Sequence, residues 1–203
     1  MRVPLIRLIL ASAIPLPVWA ADLTVTVKGN DGMPLADAVV VVKPLGAGPA
    51  PPVKFSWPLV MSQQNIAFTP YVLIVPVGSE VAFPNKDKVR HHVYSFSAAK
   101  KFELKLYGQQ AERSVVFDKA GVVALGCNIH DQMIGFIYVT DSPYAAKTDA
   151  DGEAVIHGLP GGAATMSVWH PEMKARTPLV KPAPSGHDTI VLEMRPMSVR
   201  HQH

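Results

Sequence analysis

Gly121-Val122-Val123-Ala124-Leu125-Gly126-Cys127-Asn128-Ile129-His130-Asp131-Gln132-Met133-Ile134-Gly135-Phe136-Ile137-Tyr138-Val139, residues 121–139, reads as a strand, a short loop and a second strand. Ala120-Gly121 is turn chemistry, and Val122 to Leu125 and Ile134 to Val139 are β-branched and aromatic runs of strand length. Side chains alternate across a strand, so Val123, Leu125 and Cys127 point the same way. The thiol therefore leaves the core face at the end of its strand, where the loop begins.

Working outward from this hairpin, further strands follow one another closely: Tyr71 to Val75, Glu80 to Pro84, His92 to Phe96, Phe102 to Leu106 and Ser114 to Phe117. Short strands at short spacing, with a turn at Val77-Gly78, predict an all-β Greek-key sandwich. In Phe102-Glu103-Leu104-Lys105-Leu106 the phenylalanine and both leucines share one face, which predicts one dry side. Nearer the N-terminus, Leu23 to Val27 and Ala38 to Val42 read as two strands joined by the turn Gly29-Asn30-Asp31-Gly32. Residues 44–58, rich in proline, glycine and alanine, read as a linker or long surface connection. Beyond Ser142-Pro143, Ala154 to Ile156, Thr165 to Trp169 and Thr189 to Leu192 form a second small β unit. The ending, 196–203, has no apolar pattern and reads as a disordered tail.

Arg2 and Arg7, the apolar run Leu8 to Val18 and the sequence Val18-Trp19-Ala20 make residues 1–20 a secretory signal peptide. The run is short of the ~20 residues that a spanning helix needs, and no later stretch is apolar enough, so a periplasmic protein without a membrane span is expected. Loss of the leader removes two cations and no acid from a formal net charge of +3, which argues against nucleic acid as a partner. The chain has one cysteine. Exported proteins use cysteines in pairs as disulfides, so Cys127 needs another role: an inert buried thiol, or a reactive or metal-bound one.

Its neighbours favour metal. A copper ion that cycles between Cu(I) and Cu(II) suits a thiolate, two imidazoles in a trigonal plane and a weak axial thioether or amide. Cys127, His130 and Met133 supply three of these ligand types in one tight loop. His91 or His92 supplies the second imidazole, and the pleat lets only one of that pair face the ion. A Gln132 carbonyl is the alternative to axial Met133, and structural zinc is the rival metal, although such sites usually carry more thiolates. His157, His170, His187, His201 and His203 are scattered, and solvated or packing roles are expected for them.

These residues resemble the cupredoxin family of small blue copper proteins, its amicyanin and plastocyanin type above all, over about Phe68 to Thr140. The cysteine, histidine and methionine spacing of the loop carries the likeness, with the upstream histidine eight residues after Phe83. The resemblance implies a cupredoxin β-sandwich over 59–141, with His91 as the upstream ligand and His92 at the place of a family asparagine. That asparagine ties the two ligand segments together, and Asn128 is expected to keep the tie with roles exchanged. Ile129 stands where the family has proline, so its N–H is expected to add a hydrogen bond to the Cys127 sulfur and to tune the potential. The double histidine, the run 126–131 and the flanking β units are similar also to exported proteins labelled methylamine utilization proteins. Gly32-x-Pro34-Leu35-x2-Ala38, Asp151-Gly152 and Leu159-Pro160-x-Gly162 resemble an immunoglobulin-like module of the carboxypeptidase regulatory type, split into 21–43 and 142–195 around the copper domain. The bland alternative assigns the first hairpin to the copper sandwich.

The expected function is single-electron transfer by one copper ion, without enzymatic activity. His130, with Ile129, Met133 and Ile134 beside it, is the expected exit for the electron toward a redox partner such as a cytochrome c or a periplasmic dehydrogenase. Copper delivery, or a structural β module whose metal only stabilises the fold, are the competing classes.

Overall fold

The computed structural model describes residues 21–46 and 51–196. The leader expected at 1–20 and all of the expected tail but Pro196 lie outside the described residues, as do 47–50 of the proline-rich stretch. The described chain is all β: β1 (Ala21–Gly29), β2 (Val39–Pro44), β3 (Ser62–Gln64), β4 (Ala67–Thr69), β5 (Val72–Pro76), β6 (Ser79–Ala82), β7 (His91–Ser97) and β8 (Lys100–Tyr107) come first. They are followed by β9 (Ser114–Phe117), β10 (Gly121–Cys127), β11 (Ile134–Thr140), β12 (Tyr144–Lys147), β13 (Glu153–Leu159), β14 (Ala164–Trp169), β15 (Leu179–Pro182) and β16 (Gly186–Leu192). Among the described residues no helix is long and apolar enough to cross a membrane.

The β10–β11 hairpin lies inside a five-stranded sheet of order β5-β11-β10-β7-β8. β5 runs parallel to β11, and the other neighbours are antiparallel. The inner face of this sheet supplies Leu73, Val75, Val93, Val123, Leu125, Ile137 and Val139 to one core, which the short sheets β3-β4 and β6-β9 close with Phe68, Val81 and Phe117.

The opposite face of β5 and β11 is also covered. Val72, Ile74 and Tyr138 belong to a second core with Leu23, Val25, Val40, Val42, Ile156, Val168 and Trp169. Both faces of β5 are thus dry, which explains why Val72 to Val75 is a continuous apolar run rather than an alternating one. This second core lies between the sheets β13-β1-β16 and β12-β2-β14-β15. β1 and β2 therefore take all their sheet partners from the last five strands. The Asp149–Gly152 turn locks this arrangement: a Cβ on Gly152 (φ +73°) would stand 2.5 Å from the Val27 carbonyl oxygen.

Three local expectations change. β1 and β2 follow one another but do not form a hairpin, because each pairs in a different sheet. On β8, Phe102 and Leu104 face inward, but Leu106 is 49% exposed and Tyr107 is buried. The cause is a bulge: His91 pairs with Tyr107 and Val93 with Leu104, so β8 carries an extra residue that reverses its alternation. The proline-rich stretch is anchored in its second half, where the Phe55 and Trp57 rings stack at 4.5 Å and the Trp57 indole N–H donates to the Ile74 carbonyl at 2.8 Å.

Candidate metal centre

The site forms where β10 ends beside the start of β7. Val123, Leu125 and Cys127 are buried on one face of β10, while Ala124 between them is exposed. Cys127 pairs with Val93 and Gly126 with Tyr94, so the thiol emerges next to His91. The Asn128 N–H donates to the His92 carbonyl at 3.2 Å and continues this pairing into the loop. At the other end of the loop the Met133 N–H donates to the His130 carbonyl at 2.9 Å, a turn that folds the His130 ring back over Cys127.

His91 Nδ1 lies 3.8 Å and His130 Nδ1 3.7 Å from the Cys127 sulfur. One donor atom from each of the three residues lies within 4.8 Å of the others, and the two rings are 5.1 Å apart between centroids. With bonds of about 2.0 Å to nitrogen and about 2.3 Å to sulfur, donors at a trigonal 120° stand about 3.7 Å apart, and donors at the tetrahedral angle about 3.5 Å. The two observed separations are of the size that one ion shared by the thiolate and each imidazole requires, and a His, His, Cys donor set is suited to such an ion.

Each sequence candidate has a definite place. His91 is fully buried and His130 half-buried, and both present Nδ1 to the thiol. His92 points to the other side of the sheet, where its Nε2 pairs with Glu103 at 2.8 Å. Met133 is 1% exposed and belongs to the same apolar cluster as Cys127. It is therefore not part of an exposed apolar rim, which is left to Ile129 (51%) and Ile134 (49%). Gln132 is exposed. His157 pairs with Asp22, His170 Nε2 contacts the Ala36 carbonyl, and His187 lies beside Thr26, all in the other core's sheets and turns.

Two expectations about the loop are corrected. The tie between the ligand segments runs through the Asn128 main chain, and the Asn128 side chain is exposed. The hydrogen-bond contacts of the Cys127 sulfur among the described residues are the two imidazoles, so the Ile129 N–H does not add a third.

Sequence reasoning missed the residues that hold His91. Its Nε2 lies 2.9 Å from Asp87 Oδ2. An ionised carboxylate only accepts, so the ring N–H is on Nε2 and the Nδ1 lone pair faces the sulfur. Asp87 also receives the N–H groups of Asn65 and Ile66 at 2.7 and 2.9 Å. Burial pushes its carboxyl upward, but the Ile66 N–H, the His91 ring and the Asn65 N–H outweigh it and hold Asp87 below the usual carboxylate range. Behind it, Asn85 donates to the Val89 and Tyr107 carbonyls at 2.8 and 3.1 Å and accepts from the Asp87 N–H at 2.8 Å. The Tyr107 hydroxyl is shared between Gln63 Oε1 at 2.5 Å and the Phe83 carbonyl at 2.9 Å. The signal for this was Asn85-x-Asp87 in a turn four residues ahead of His91.

No protein-family model and no curated protein matches the chain. Solved structures are similar to part of it. A purple cupredoxin from Nitrosopumilus maritimus is 24% identical over 40% of this chain and 96% of its own, with a TM-score of 0.36. The oxidised state of an amicyanin point mutant is 23% identical over 41% of this chain and 82% of its own, with a TM-score of 0.37. A copper-containing nitrite reductase from Thermus scotoductus is 26% identical over 48% of this chain and 25% of its own, with a TM-score of 0.39. Over part of its length, then, the chain is similar to the cupredoxins.

Proposed function

We propose that this protein is an exported electron carrier of the cupredoxin type, in which His91, Cys127 and His130 hold one copper ion in a plane and Met133 supplies the axial sulfur. The observation that carries this reading is the pair of Sγ to Nδ1 separations, 3.8 and 3.7 Å, in a buried His, Cys, His cluster. Bound copper supplies one-electron chemistry between Cu(I) and Cu(II). The chain's own part is to keep the donors still: Cys127 by the β7–β10 pairing, His130 by its turn, and His91 by Asp87. Donors held by the fold in this way move little when the charge of the ion changes.

Ile129 and Ile134, exposed on the loop that carries His130 and at the start of β11, offer an apolar contact for a redox partner, a cytochrome c or a periplasmic dehydrogenase in chemical type. Residues 59–141 form the copper unit in this reading, inserted into an immunoglobulin-like module made by 21–43 and 142–195. Export to the periplasm rests on the leader-like residues 1–20. No group for substrate chemistry is needed, and the protein is read as a carrier rather than an enzyme.

Copper titration of the metal-free protein, followed by voltammetry, tests the proposal. One equivalent bound and a reversible one-electron wave are expected. Binding without a reversible wave would favour copper delivery, and tighter binding of zinc than of copper would favour a structural metal.

A further inference from the structure

His91 is held by a side chain that does a second task. Asp87 lies in the turn ahead of β7 and bonds its carboxylate to three N–H groups: those of Asn65, Ile66 and the His91 ring. Asn65 and Ile66 form the tip between β3 and β4, and both have positive φ, 56° and 55°. That conformation is unfavourable for a β-branched residue such as isoleucine, and persists only where neighbouring structure imposes it. Here the imposing partner is Asp87, whose two oxygens divide the turn's N–H groups between them. The same carboxylate is 13% exposed and the His91 side chain 0%, so water does not compete on equal terms for the ring N–H.

The ring has two neutral tautomers. With the proton on Nδ1, the Nε2 lone pair would face a carboxylate oxygen at 2.9 Å, lone pair against lone pair. With the proton on Nε2 the contact becomes a charge-assisted hydrogen bond, and the Nδ1 lone pair is directed toward Cys127.

We propose that Asp87 is a positioning residue that fixes the tautomer and orientation of His91 before any ion is bound, and that the β3–β4 turn is its anchor. That Nδ1 is then a copper donor rests on the functional reading given above, whereas the tautomer does not depend on it. The turn therefore sets a metal ligand from the far side of the imidazole: it orders the carboxylate, the carboxylate orders the ring, and the ring presents one nitrogen.

Long-range proton–nitrogen correlation spectra of the full, metal-free chain with labelled histidine read the tautomer directly, at a pH where the imidazoles are neutral. His91→Gln assigns the signal. The expected result is a single Nε2–H tautomer for His91 with a downfield Hε2 resonance. In Asp87→Ala the signal should become a mixture of tautomers, and copper affinity should fall about 10- to 100-fold, the usual consequence of removing such an outer partner. Asp87→Asn keeps an oxygen in the same place, so the Nε2–H tautomer should survive while Hε2 moves upfield and affinity falls less. This partial rescue separates positioning from a purely structural role, and it remains readable if Asp87→Ala fails to fold. An unchanged His91 tautomer and Hε2 shift in the variants would overturn the proposal. If wild-type tautomer and variants behave as expected but the protein binds no copper, Asp87 keeps its role and the copper reading falls.

Discussion

Replacing Asn85 by alanine should loosen the segment that carries His91, and the structure sets the size of the effect. The side chain is 3% exposed and makes three hydrogen bonds: to the carbonyls of Val89 and Tyr107 and from the Asp87 N–H. At a net value of about 1 kcal/mol for each bond, the loss is about 3 kcal/mol. It is not repaired by water at the Tyr107 carbonyl, because that contact is buried. For a chain of this size about 3 kcal/mol corresponds to a fall of about 6–12 °C in melting temperature. Urea unfolding of the metal-free protein measures it as a lower midpoint at unchanged slope, the signature of a change in stability rather than in exposed surface. Asn85→Asp separates the two ends of the amide. It keeps the acceptor for the Asp87 N–H but turns carboxylate oxygen toward two carbonyls, so it should cost at least as much as alanine. A loss below about 1 kcal/mol in Asn85→Ala, or a stable Asn85→Asp, would show that these bonds do not hold the segment.

A Cβ on Gly135 would lie 2.7 Å from Phe68 Cβ, inside the core, whereas one on Gly126 meets only the far end of the Tyr94 ring. Gly135→Ala should therefore cost about 1–3 kcal/mol in denaturant unfolding, and Gly126→Ala less. The Trp169 ring packs 5.5 Å from Phe136 and 5.7 Å from Tyr138, where the five-stranded sheet meets the second core. Trp169→Ala should lose about 3–5 kcal/mol in the same assay. His170 is pressed below its ordinary pKa by burial, against the Ala36 carbonyl and the charges of Glu172 and Asp37. Near and below its unfolded value of about 6.5 the unfolded chain holds more protons than the folded one, so stability must fall as pH drops through that range. Thermal melts from pH 8 to pH 5 should show the fall, and His170→Gln should flatten it.

The loop and its strands were legible because their signals are local. Period-two alternation places Cys127 on the core face by counting from Val123, and ligand chemistry needs only residue types and spacing. What lay hidden depends on contacts between distant segments. The β8 bulge is set by pairing with β7, so nothing in Phe102 to Leu106 foretells that Leu106 turns outward and Tyr107 inward. β1 and β2 look like a hairpin because a turn joins them, yet their partners come more than 100 residues later in the chain. At the site, a family pattern directed attention to side chains after the cysteine, while the restraint on His91 comes from Asp87, four residues earlier, and through it from Asn65 and Ile66. A carboxylate in a polar turn is an ordinary sight in sequence. Its three N–H partners become visible only when β3, β4 and β7 are placed together.

In the proposed site Cys127 is a thiolate ligand to one copper ion in a plane with His91 and His130. The visible absorption spectrum of the copper-loaded protein, recorded beside that of its Cys127→Ser variant, decides whether the thiolate binds the metal. An intense thiolate-to-copper charge-transfer band is expected in the native protein and should disappear in the variant. A copper-loaded native protein with only weak ligand-field absorption, or a band that survives Cys127→Ser, would contradict this ligation.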